Sequence, residues 1–111
     1  MPLLKPLIAG LSCFALFAAA GCTTAPPVQE MSDARQAIAA AREAGAAKLD
    51  EATFSQAESQ LAEAEARLKR GLYWEARKQA VDAKESAIAA LLRSRSLRDA
   101  GVTPASSAPS R

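Results

Sequence analysis

Histidine is absent from this chain of 111 residues. Its absence removes the side chain that most often serves as general base and as ligand to transition metals. Cysteine occurs only at Cys13 and Cys22, and Cys13 falls within an N-terminal segment that reads as a cleaved signal, so no intrachain disulfide is expected. Aromatic residues make up 5% of the chain, so any core is built from small side chains and is thin. The five glycines are isolated, so no glycine-rich loop is present to cradle a phosphate. The formal net charge is only +2, too small to create a strong field for nucleic acid. Ser55, Ser59, Ser86, Ser94 and Ser96 have no base to activate them. Glu58, Glu63 and Glu65 fall among basic residues on what reads as a solvated helix face, not as converging ligands for a hard cation. No catalytic residue, metal ligand, cofactor, nucleic-acid partner or small-molecule substrate is expected.

What the chain does have begins at its N-terminus. Met1-Pro2-Leu3-Leu4-Lys5 carries one basic side chain and leads into an apolar run from Leu7 to Ala20, interrupted only by Gly10 and Ser12. A spanning helix needs about 20 apolar residues, and this run falls short. A basic start, a short apolar middle and small residues at the end form the layout of a secretory signal, here residues 1–21. The run closes on Ala19-Ala20-Gly21-Cys22, which resembles a bacterial lipobox. The resemblance implies cleavage between Gly21 and Cys22, lipidation of the Cys22 thiol and acylation of its new amino group. Ala19 stands where that motif usually has a larger aliphatic residue, and Ala18-Ala19-Ala20 also fits an ordinary A-x-A site that would leave Cys22 as a free thiol. Lipidation is the preferred reading, since an unpaired exposed cysteine is a liability in an oxidising compartment. Thr23 rather than aspartate follows the cysteine, which by the enterobacterial sorting rule implies the outer membrane.

Residues 22–31 read as the lipidated cysteine and a linker, with Pro26 and Pro27 favouring an extended path. From 32 to 100 the periodicity predicts an all-α domain. A first helix starts at Ser32 or Asp33, both good N-caps, and carries Ala34, Ala37, Ile38, Ala41 and Ala44 on one face up to Gly45. Ala46–Leu49 reads as a turn and Asp50 as the next cap. A second helix places Phe54, Ala57, Leu61, Ala64 and Leu68 on one seam, supported by Glu63–Arg67 and Glu65–Lys69 at i,i+4 spacing and ending at Gly71. A third helix runs from about Leu72 to Ala100. Its main seam is Tyr73, Ala76, Ala80, Ala83, Ala87 and Ala90, expected to receive the second helix. A side stripe of Val81, Ile88, Leu91 and Leu92 is expected to receive the first. The short connections predict an alanine-rich three-helix up-down-up bundle, a long helical hairpin plus a shorter N-terminal helix. Residues 101–111, with two prolines and three serines, read as a disordered tail.

Counting outward from Gly71 sets Asp50 opposite about Leu92, so that the third helix overhangs from Arg93 onward. The overhang carries Arg93, Arg95 and Arg98. One reading has them complement the helix dipole and pair with Asp50 and Glu51; the other has them bind phosphate or carboxylate groups of a glycan or acidic protein. Tyr73 and Trp74 are the neighbouring aromatics beside the turn. Packing of Tyr73 into the seam and of Trp74 over the hairpin end is preferred to a partner-binding role for the pair.

From Ser32 to Ala90 the chain resembles the envelope lipoprotein domain of unknown function numbered 4398. The resemblance rests on Ala34-Arg35-Gln36-Ala37-Ile38, Ala44-Gly45-Ala46, the Phe54/Ala57/Leu61/Ala64 run, and Gly71-Leu72-Tyr73-Trp74-Glu75-Ala76 with Ala80 and Ala83. Members commonly have Ala-Pro at the start of their second helix, where this chain has Asp50-Glu51. The resemblance implies a small helical module, lipid-anchored or periplasmic, and supplies no active site. The expected function is therefore that of a non-catalytic membrane-anchored scaffold acting through an envelope protein partner or through self-association. The alternative is a peptidoglycan or surface-glycan binding module using the three arginines.

Overall fold

The computed structural model describes residues 25–102. The signal reading for 1–21, the Gly21/Cys22 cleavage and lipidation site, and all of the tail beyond Val102 lie outside the described residues. Those described form four helices and no strand: α1 (Val28–Glu43), α2 (Ala46–Leu49), α3 (Glu51–Lys69) and α4 (Tyr73–Asp99). The expected second and third helices are α3 and α4. None of the described helices is long and apolar enough to cross a membrane.

The helix stops follow the glycines. Beyond the end of α3, Gly71 takes φ +76°, a conformation that costs a residue with a Cβ and is free for glycine. Its N–H donates to the Leu68 carbonyl and the Leu72 N–H to the Arg67 carbonyl, both at 3.0 Å. This paired closure satisfies carbonyls that the helix leaves orphaned. The same pattern closes α4, with Gly101 N–H on the Arg98 carbonyl and Val102 N–H on the Leu97 carbonyl.

The N-terminal boundary corrects the sequence reading. α1 begins at Val28, with Pro27 as its N-cap, and neither Ser32 nor Asp33 caps it. Residues 28–31, assigned to the linker, are helical, and Met31 is 2% exposed. Proline preceding a helix loses nothing there, because its missing N–H would have had no intrahelical partner. Burial of Pro27 and Met31, two of the largest fully enclosed side chains, outweighs the capping that Ser32 would have offered. Residues 46–49 are a single helical turn rather than a loop, entered through Gly45 at φ +86°. Asp50 stands at the start of α3 but makes no side-chain cap hydrogen bond.

The core is a strip of alanine. Ala76, Ala80, Ala83, Ala87 and Ala90 of α4 are wholly buried, as the periodicity predicts. Methyl-sized side chains let helix axes approach closely. Both neighbours use that one strip, since Ala87 and Ala90 cluster with Ile38 and Ala41 of α1 and with Phe54 and Ala57 of α3. A second cluster joins Met31 of α1, Ala64 of α3 and Ala80 of α4, and Leu61 packs against both clusters. The expectation that the side stripe of α4 receives α1 fails for this reason. Val81, Ile88 and Leu92 stay on the surface, and only Leu91 packs inward.

Polar bonds fix the register between helices. Arg35 of α1 pairs with Glu65 of α3 at 3.0 Å, and Arg42 with Glu58 at 2.7 Å. Arg77 and Lys84 of α4 reach Glu30 and Asp33 of α1 at 3.0 and 3.8 Å. Ser86 Oγ donates to Gln60 Oε1 across α4 and α3 at 2.7 Å. The Glu63–Arg67 pair forms within α3, whereas Glu65 turns to Arg35 instead of Lys69.

Candidate interaction surfaces

The residues singled out by sequence fall on two separate surfaces of α4. Tyr73 and Trp74 open the helix beside the Gly71 turn. Tyr73 is half-buried, in keeping with a packing role, but Trp74 is 69% exposed and does not cover the hairpin end. A helical step of 100° separates the two side chains, so the seam that takes Tyr73 turns Trp74 outward. Arg93, Arg95 and Arg98 are exposed near the other end of α4. Among the described residues none of them forms an ion pair with Asp50 or Glu51, so the compensating contacts expected there are not made.

The overhang expected from Arg93 onward is shorter than counting gave. Ser94 continues the alanine strip one turn past Ala90 and is fully buried, and Leu97 is half-buried. The helical turn α2 precedes α3 and contacts α4, and its buried Ala46 clusters with Ala87 and Ala90. The Ser94 hydroxyl finds no hydrogen-bond partner.

The surface that sequence reasoning missed is the outer face of α4. Trp74, Val81, Ile88 and Leu92 are spaced seven, seven and four residues apart, which places them on one stripe opposite the alanine strip. The spacing was visible in the sequence. What hid the surface was the assumption that every apolar stripe of a small bundle finds an internal neighbour. Lys78 and Glu85 lie on the same stripe, and both are exposed.

A shallow groove of about 330 Å³ between α1 and α3 is floored by Ile38, Leu61 and Ala62 and rimmed by Arg35, Arg42, Glu58 and Glu65. Its rim is already neutralised by the Arg35–Glu65 and Arg42–Glu58 pairs, and the Arg42 guanidinium also rests 5.4 Å from the Phe54 ring centroid. These contacts bind two helices together and leave no free charge converging on a ligand. Among the described residues no group of acidic or cysteine side chains is placed to hold a metal ion. No family model, curated protein or solved structure matches the chain.

Proposed function

We propose that this chain is a non-catalytic lipoprotein, held by lipid on Cys22 to the periplasmic face of the outer membrane, whose helical domain acts as a protein-interaction or scaffold module. Membership of the envelope lipoprotein family that it resembles is part of the proposal, as is the up-down-up order of α1, α3 and α4. The order is supported by the ion pairs: partners of α1 on α3 run backward along the chain, from Glu65 to Glu58, while partners on α4 run forward, from Arg77 to Lys84.

The observation that carries the interaction reading is the distribution of bulky apolar groups. The fully buried strip of α4 is alanine apart from Ser94, whereas the bulky Trp74, Val81, Ile88 and Leu92 lie on its outer face. A domain this small gains little from its own thin core, and outward apolar surface on a long helix is the feature that partner helices recognise. The test is intact mass of the membrane-extracted chain combined with crosslinking in cells. A chain beginning at Cys22 with acyl mass, crosslinked to a defined protein species, is the expected result. A chain beginning at Gly21 without lipid would overturn the anchor.

A second reading, binding of peptidoglycan or a surface glycan, draws on Arg93, Arg95 and Arg98, which are exposed and unpaired with the nearby acids of α3. Arginine suits phosphate and carboxylate groups through its two-pronged donor geometry. Replacing all three by glutamine would abolish sedimentation with purified peptidoglycan while leaving helicity intact. Sedimentation that persists would eliminate this reading.

A further inference from the structure

We infer that the outer face of α4 docks a second copy of this chain, its α4 packed antiparallel across a two-fold axis that passes beside Val81. This deepens the proposed interaction function and rests on it.

The argument starts from symmetry in the stripe. Trp74 and Ile88 are each seven residues from Val81, on either side. In an antiparallel pair of helices, residues equidistant from the axis face each other. Placing Val81 against Val81 of the second copy therefore sets Trp74 against Ile88 of that copy, twice. A large flat indole meets a β-branched side chain at both ends, and two small valines meet at the centre.

The charges on the stripe come within one residue of the same symmetry. Lys78 is three residues before Val81 and Glu85 four after it, so each comes within one residue, about 1.5 Å of rise, of facing the other across the axis. The antiparallel pair thus gains two opposite-charge contacts. A parallel pair would set Lys78 against Lys78 and Glu85 against Glu85, which is repulsive. Within one copy Lys78 contacts Asp82 at 3.1 Å, while Glu85 makes no ion pair among the described residues. Leu92 comes opposite the Gly71 turn of the second copy, where the position of a Cβ is open space. The inner strip of each α4 stays fully occupied by α1 and α3, so pairing requires no rearrangement of either copy.

An interface one helix wide buries less than the roughly 1,600 Å² of a standard stable complex. Confinement of both copies to one membrane surface raises their effective concentration and offsets that deficit. The pairing is accordingly tested with the full chain in its membrane.

Val81→Cys in the full chain is expected to give a disulfide-linked species of twice the monomer mass on oxidation in cells, with none from the chain carrying only its own cysteines. Cysteine at Ala66, exposed on α3, is expected to give none. Lys78→Glu is expected to lower the Val81→Cys dimer yield at least fivefold, and Lys78→Glu with Glu85→Lys to restore it. A dimer yield unaffected by Lys78→Glu would overturn the antiparallel register. A photoreactive residue at Val81 separates the remaining outcomes. An adduct with a different protein in place of the homodimer overturns self-pairing but leaves the interaction function standing. A membrane-bound chain giving no protein adduct from Val81 overturns both.

Discussion

Arg77 ties the start of α1 to α4 through two bonds from one guanidinium. Its Nε donates to Glu30 Oε1 at 3.0 Å, and its Nη2 donates to the Ala25 carbonyl at 3.2 Å. The second bond reaches the segment just ahead of Pro27, so one side chain sets the path by which the chain enters the bundle. Both side chains of the ion pair remain partly exposed, which limits its worth to about 0.5–1 kcal/mol. Arg77→Ala should therefore change global stability little. It should speed amide hydrogen exchange selectively over the first turns of α1, with α3 unaffected. Uniform exchange rates across the variant and the parent would show that Pro27 and Met31 hold this entry without help.

The alanine strip of α4 sets the spacing of both neighbours, so its positions should be intolerant of size. Ala87 is wholly buried between α1 and α3, whereas Ala89, two residues on, is exposed. Ala87→Leu adds three carbons where two helices already meet the methyl group, and overpacking of this kind costs about 1–3 kcal/mol or more. Ala89→Leu should shift stability by no more than about 0.5 kcal/mol. Thermal melting followed by circular dichroism distinguishes them. Equal melting temperatures would mean that the strip is not the packing surface.

Met31 lies in the stretch that composition assigns to a linker, yet it is 2% exposed and clusters with Ala64 and Ala80. In a core made mostly of alanine, with Ile38 and Phe54 the other large buried side chains, a buried methionine is a large share of the apolar volume. Met31→Ala should destabilise the domain by about 2–5 kcal/mol, the usual range for a buried methionine cut to alanine. Urea unfolding of the full chain is the measurement. A midpoint unchanged from the parent would return residues 28–31 to the linker.

What could be read from the sequence was whatever depended on near neighbours. The closures at Gly71 and Gly101 were legible because glycine alone relieves the strain of a left-handed residue after a helix, and the 76/80/83/87/90 alanine pattern because one helical face repeats at three and four residues. What was not legible depended on distant partners. Ser32 and Asp33 have good capping chemistry, but the start of α1 is decided by burial of Met31 against α3 and α4. Glu65 has Lys69 one turn away, yet pairs with Arg35, thirty residues back, because packing of α1 on α3 brings them together. Val81 and Ile88 are as apolar as any core residue. Only the sharing of one alanine strip by two helices leaves them outside. The arginines 93, 95 and 98 were placed correctly on the far end of α4, but the burial of Ser94 among them was not legible, because it depends on packing from elements distant in the chain.

Ser94 occupies the next position of the strip after Ala87 and Ala90, and its hydroxyl is enclosed with no hydrogen-bond partner. Enclosing a polar group without a partner costs about 1–3 kcal/mol relative to leaving it hydrated. Alanine at this position keeps the Cβ that packs, removes the hydroxyl and has the higher helix propensity. Ser94→Ala should therefore stabilise the domain by about 1 kcal/mol, which for a domain of this size is a rise in melting temperature of about 4–8 °C. Most buried substitutions destabilise, so the sign is diagnostic. If Ser94→Ala melts lower than the parent, the hydroxyl contributes a favourable contact, through the backbone of α4 or through water. Retention of serine over alanine would then have a structural cause at the end of α4 where Arg93, Arg95 and Arg98 are presented.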